Sequence, residues 1–226
     1  MSVEYCVISI GALSHNRLWG ESGDARTSHA TTTLVAADGR LILVDPSLPE
    51  AILAARFNER TGKTLADVTD VFCTTLRPVH RRGLPALSHA AWWCSETELA
   101  HHRRQLEELL ESVQRLNADE ATVVEADLKL TGRFRPAPET FAPQVSFYPL
   151  SGASPGSAGL LLTPAVSTIV VAGDAVLTAA HMELGQVWEG CHDVEQAMES
   201  LRDLVELADI VVCGHDNVTF VPRTLM

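Results

Sequence analysis

The chain has 226 residues, 46% of them hydrophobic and 20% charged, with a formal net charge of −12. That composition supports a sizeable core in a single compact domain spanning 1–226 and excludes a globally disordered chain. The acidic balance excludes the basic surface that nucleic-acid binding requires, because Arg81-Arg82 and the His101-His102-Arg103-Arg104 run are short and read as solvated charge.

In chain order, residues 4–10 (EYCVISI) predict a first strand, and the polar, Gly-containing stretch 11–28 predicts a long surface loop. Strands over 29–36 and 40–44 form a hairpin around Asp38-Gly39, a strong local turn signal. Pro46 opens a helix that carries Ile52, Leu53, Ala55 and Phe57 and ends at Thr61-Gly62. A strand over 70–73 runs into a loop over 74–83, and 90–94 is another short strand, in which Trp92 and Trp93 face opposite sides. Ser95 with Glu98 three residues on is a capping-box pattern, and the helix it starts runs to about Leu116. Residues 129–143 read as irregular. Strands over 145–148, 159–163 and 168–172, a helix over 192–207 and a final strand over 210–213 complete the chain. Strands with apolar faces and a few amphipathic helices in each half predict an α+β fold of two packed sheets covered outside by helices.

Cys6, Cys73, Cys94, Cys191 and Cys213 form no C-x-x-C pair, and three of them lie in or beside apolar strands, as small hydrophobes in a reducing compartment do. No signal peptide and no membrane-spanning stretch is read, so a cytoplasmic protein with no membrane partner is expected. No G-x-S-x-G elbow, Walker loop or G-x-G-x-x-G fingerprint is present, which argues against Ser151, Ser154 or Ser157 as a nucleophile.

Polar residues recur where apolar strands have just ended: Asp45 after LILV, Thr74–His80 after DVFC, Asp174 after VVAG and His215 after IVVCG. Strand ends are rigid, and loops there can converge on one site. Two histidines and an aspartate from three such loops make a sensible metal set.

These pieces resemble the metallo-β-lactamase superfamily along nearly the whole chain. LILVDPS is similar to its early strand ending in aspartate, and FCTTLRPVHRRGL to its H-x-H-x-D-H loop. LSGASPGSAGLLL is similar to its Gly-His-Thr-Pro-Gly-Ser segment, VVAGDAV to the bridging-aspartate segment and VVCGHDN to the terminal Gly-His. The resemblance implies a four-layer αββα sandwich. Anchored on His80, the motif's other members fall on Thr75, Arg77 and Val79, and the Pro-Gly-Ser histidine falls on Ala153. All three protein ligands implied for the first metal are therefore gone, whereas the second keeps His80, Asp174 and His215 of its four.

Two readings follow. One divalent metal (Zn, Fe or Mn) on His80, Asp174 and His215 would make a hydrolase of an ester, lactone or phosphoester-like bond, with Asp174 and His80 in the catalytic centre. Alternatively Arg77 replaces the lost metal charge beside Asp174, leaving a catalytically inactive, metal-free relative with a binding or regulatory role. The direction of Arg77 separates the two. Asp45 is expected to tie the loop together beneath the site. His15 and Trp19 in the early loop, with Arg77, are candidates for contact with a small-molecule substrate or ligand. His181 and His192 read as surface, with pocket lining as the other reading, His101-His102 as a solvated helix face, and His15, His29 or His181 as the candidates for a replacement ligand. A homo-oligomer is compatible with the long helix after Ser95.

Overall fold

The computed structural model describes residues 2–23, 25–114 and 117–222. In the first half of the chain, β1 (Glu4–Ser9), β2 (Thr32–Ala37) and β3 (Arg40–Val44) form an antiparallel run. Asp38 and Gly39 both have positive φ, 48° and 78°, the backbone that a two-residue hairpin turn requires. Parallel strands β4 (Asp70–Phe72), β5 (Ala91–Cys94) and β6 (Arg135–Pro136) extend the sheet in the order β1-β2-β3-β4-β5-β6. The second sheet contains β7 (Thr140–Ala142), β8 (Val145–Pro149), β9 (Ala158–Leu162), β10 (Ile169–Gly173), β11 (Ile210–Cys213) and β12 (Val218–Phe220), in the order β12-β11-β10-β9-β8-β7. Only its β10–β11 pair is parallel.

Strand alternation divides the core. Ile42, Val44 and Phe72 face Leu160, Leu162, Val171 and Val212 across the two sheets. The intervening Leu43 and Val71 turn the other way, onto Leu53 and Phe57 of α1 (Glu50–Thr61). Val170 and Val211 likewise turn onto Leu201 and Leu204 of α5 (Val194–Leu207) and Met182 of α4 (Ala179–Glu183). Leu99 of α2 (Glu96–Val113) and Leu130 of α3 (Ala118–Thr131) pack on the α1 side. The layers are thus helix, sheet, sheet, helix, as the α+β expectation has them.

Several local expectations change. The first long helix starts at Glu50 behind Pro49, not at Pro46. His29 lies in an isolated bridge to Ala12, ahead of β2. The helix after Ser95 closes at Val113 with Gln114 as its cap, and Leu116 falls outside the described residues. Ser95 accepts from Glu98 N, but the Glu98 carboxylate turns inward rather than closing the capping box. The stretch 129–143, read as irregular, contains the end of α3 and two short strands, β6 and β7. Among the described residues no helix is long and apolar enough to cross a membrane.

Candidate functional site

Four polar segments meet beyond the C-terminal ends of β3, β4, β10 and β11. Asp45, directly after β3, takes a left-handed φ of 48° and turns its carboxylate back under the loop that follows β4. It accepts from Thr74 N at 2.9 Å and Thr74 Oγ1 at 2.7 Å, so the tying role expected of it is the one it has. The loop continues into a short turn over Pro78–His80, which brings His80 down onto Asp45. Gly173 ends β10 at φ 53°, and a Cβ there would lie 2.3 Å from Thr74 Oγ1. Glycine therefore lets Asp174 come close to the Thr74 loop.

At the centre is Asp174, 4% exposed. His80 Nε2 and His215 Nε2 each lie 3.1 Å from its Oδ1. The outer nitrogen of each ring is also engaged. His80 Nδ1 is 3.0 Å from Asp45 Oδ2, and His215 Nδ1 is 3.0 Å from the His29 carbonyl and 3.3 Å from that of Ala12. Burial disfavours charge on His80, but Asp174 and Asp45 outweigh it and raise its pKa to about 10. His80 is therefore an imidazolium donating to a carboxylate at each end. Asp174 is held well below the usual carboxylate range, because the two histidines overcome the opposing effect of burial.

Arg77 points into the site. Its Nη1 donates to Asp174 Oδ2 at 2.6 Å and its Nη2 to the Ala153 carbonyl at 2.5 Å. Trp188 covers the guanidinium, with Cζ 4.2 Å from the ring centroid. Thr75, Arg77 and Ala153, the three positions implied for the first metal, thus offer a hydroxyl that accepts from Arg77 N, a resident cation and a methyl group. They do not fit a metal. His80, Asp174 and His215 do place ligand atoms within 4.8 Å of one another, and both rings have the outer acceptors that orient metal-binding histidines. They form the group of this kind among the described residues, and neither His15, His29 nor His181 joins it.

Above this centre is a cavity of about 640 Å³ with Arg77, Asp174 and His215 in its lining. Leu13, Leu18, Val79, Leu177 and Val187 supply apolar wall, and His15 is also in the lining. Trp19 does not line it: the side chain is 54% exposed and sits over Arg26 instead, because the short turn over Arg17–Trp19 carries it outward. Arg17 and Glu189 pair across the cavity mouth. His181 is buried and lines the cavity, its Nδ1 2.8 Å from Thr178 Oγ1, which corrects the surface reading.

Glu98 is a site-shaping residue that sequence reasoning took for a cap. Buried to 4% exposure, it accepts from Leu76 N at 3.1 Å, Ser154 Oγ at 2.6 Å and Gly156 N at 3.3 Å. One carboxylate therefore joins the Arg77 loop to the Pro155-Gly156 loop. No spacing in the sequence carries that signal.

No protein-family model and no curated sequence matches the chain. Solved structures do match. A metallo-β-lactamase-type protein of Thermotoga maritima aligns over 97% of this chain and 100% of its own, with a TM-score of 0.68 and 14% identity. The fold is that of the metallo-β-lactamase superfamily. AidC, a dizinc quorum-quenching lactonase solved with a product, aligns over 87% of this chain and 80% of its own at TM-score 0.66 and 15% identity. AiiA of B. thuringiensis, with N-decanoyl-L-homoserine at its active site, aligns over 96% and 94% at TM-score 0.62 and 17% identity. On this metallo-β-lactamase fold the strand-end loops converge as the sequence resemblance implies, and the neighbours include lactonases, one of them a dizinc enzyme.

Proposed function

We propose that this protein binds a small molecule in the cavity above Asp174 without a metal pair, Arg77 carrying the positive charge that a metal carries in its structural neighbours. The observation behind this reading is the double donation of Arg77 to Asp174 Oδ2 and the Ala153 carbonyl. A guanidinium stays charged, pairs strongly with a carboxylate and repels a cation. With it in place, both Asp174 oxygens have protein donors. None of the unpartnered buried side-chain atoms of the described residues belongs to the Asp174 cluster, although one of them, Asn16 Nδ2, is on a residue that lines the cavity. The centre is thus satisfied from within.

A guanidinium has more N–H groups than these two contacts use, so Arg77 can also hold a carbonyl or carboxylate oxygen in the cavity. The apolar walls suit a hydrocarbon body behind that oxygen. Ester-, lactone- or acyl-type molecules fit this description, in keeping with the acyl-homoserine compounds held by the neighbouring lactonases.

A second reading is favoured by the two histidine rings, whose Nε2 atoms converge while their Nδ1 atoms have outer acceptors. His80, Asp174 and His215 would then hold one Zn, Fe or Mn ion, a Lewis acid for hydrolysis of an ester, lactone or phosphoester-like bond. Val79 stands where the motif's aspartate would help orient water, so this chain supplies less to that chemistry than its neighbours do.

Elemental analysis of the purified protein, before and after exposure to Zn²⁺, Mn²⁺ or Fe²⁺, decides between them. Substoichiometric metal throughout supports the metal-free reading. One equivalent that disappears in His215→Ala, together with ester or lactone hydrolysis that disappears with it, overturns it in favour of the mononuclear hydrolase.

A further inference from the structure

The large cavity does not end at Arg77. Arg77, Pro78 and Gly190 also line a second cavity of about 360 Å³, whose other residues include His101, His102, Gln105 and His192. His101, Pro155 and His192 in turn line a third hollow of about 440 Å³ that reaches Arg104. The three hollows adjoin one another through these shared residues, Arg77 lining the inner two and Arg104 the outermost, and together they make a groove.

Between the arginines is a pair of imidazoles from distant parts of the chain. His101 of α2 and His192, just ahead of α5, meet edge to face with ring centroids 5.5 Å apart. His192 is held there by its backbone, whose N–H donates to the Ala153 carbonyl, the group that Arg77 also holds. Arg104 Nη2 lies 3.3 Å from His101 Nδ1. Arginine can only donate, so Nδ1 accepts and the His101 proton is on Nε2. The one carboxylate in the second cavity, Glu98, already accepts from Leu76, Ser154 and Gly156. The outer end therefore presents imidazole N–H groups and the Arg104 guanidinium, which lies 3.9 Å from Glu108 Oε1, with the Glu96 carboxylate lining the same hollow.

Resting on the reading that a small molecule binds against Arg77, we infer that this groove receives a carboxylate carried by the far end of the same ligand, bound by His101, His192 and Arg104. The ligand class is an extended molecule with an oxygen-bearing group at each end, one at Arg77 and one at the imidazole pair. A carboxylate suits the site better than a dianionic phosphate, because the side-chain donors are two imidazoles and one arginine and a second negative charge would meet Glu96 in the same hollow.

The test uses the full-length protein with straight-chain α,ω-dicarboxylates and the matching monocarboxylates as probes, measured by calorimetry and tryptophan fluorescence. In the wild type the best-fitting diacid binds about tenfold or more tightly than its monoacid, the effect of an added charge-assisted contact. His101→Ala/His192→Ala abolishes that advantage and leaves monoacid binding unchanged, and Arg104→Ala reduces it. A diacid no tighter than its monoacid, an advantage that survives the double substitution, or no binding of either acid overturns the groove. The parent reading is judged separately by metal content, which these substitutions leave untouched because they lie outside the His80, Asp174 and His215 cluster.

Discussion

Arg77 meets Asp174 on Oδ2, the carboxylate oxygen that neither histidine uses. The pair is asymmetric, since the Asp174 side chain is 2% exposed and that of Arg77 is 28% exposed. Arg77→Ala therefore uncovers a buried carboxylate oxygen next to two imidazoles. Losing one partner of a buried pair costs about 3–5 kcal/mol, and the cost here should be smaller because His80 and His215 still contact Asp174. The variant is expected to fold and to take up Zn²⁺ more tightly than the wild type, as measured by calorimetry and elemental analysis. Equal metal affinity in the two proteins would mean that Arg77 does not keep metal out.

Glu98 satisfies two backbone N–H groups and one hydroxyl at once. Glu98→Ala leaves these donors unpaired in a buried setting, and about 3 kcal/mol of stability should be lost in urea unfolding. Glu98→Gln retains one acceptor oxygen but turns an amide N–H toward donors, so an intermediate loss is expected.

Asp70 provides the pH prediction. Arg40 reaches it bidentately, through Nε at 2.9 Å and Nη2 at 2.5 Å, and Trp93 Nε1 donates at 2.8 Å. Burial raises its pKa, but the bonds from Arg40, Thr69 and Trp93 outweigh this and hold it below the ordinary range. A folded pKa below the unfolded one gives stability that is complete above about pH 4 and is lost as pH falls through the folded value. Asp70→Asn should be less stable than wild type at neutral pH, and the gap should narrow below about pH 4. A gap that stays constant across denaturant titrations in this range would rule out the charge as its source.

Gly190 fixes the indole over Arg77. A Cβ at Gly190 would lie 2.5 Å from Trp188 Cζ2, so Gly190→Ala should push the ring off the guanidinium. Such a contact is worth about 0.5–1 kcal/mol at an exposed site, so the stability change is small. The Trp188 emission should shift, with Trp188→Phe as the subtraction control, and an unchanged spectrum would mean that the ring keeps its place.

The layers and the convergence at the site were legible because both follow from pattern. Continuous apolar runs marked β2, β3, β10 and β11, and each of these strands but β2 is followed by a polar residue that reaches the centre. The helix α3 went unread because its apolar residues are spread around it: Ala121 and Val124 are buried, whereas Val123 is 69% exposed. Asn117, which caps Asp119 N and Glu120 N, was the available signal. β12 is a three-residue edge strand after a turn, too short for its alternation to register. At the site, His80, Asp174 and His215 were recoverable from their order along the chain. Glu98 and the His101–His192 pair were not: which way a helical side chain turns depends on what packs against it, and His192 lies in a bend ahead of α5 that no pattern sets against α2. Trp19 lies outside the cavity lining for the converse reason, since a loop's composition does not say which side of it faces the cavity.

The cation beside Asp174 is covalently part of the chain. Unlike an ion, it cannot be chelated, exchanged for a competing metal or lost when metal is scarce. The charge at this position is therefore present as soon as the chain folds, whatever the surroundings supply.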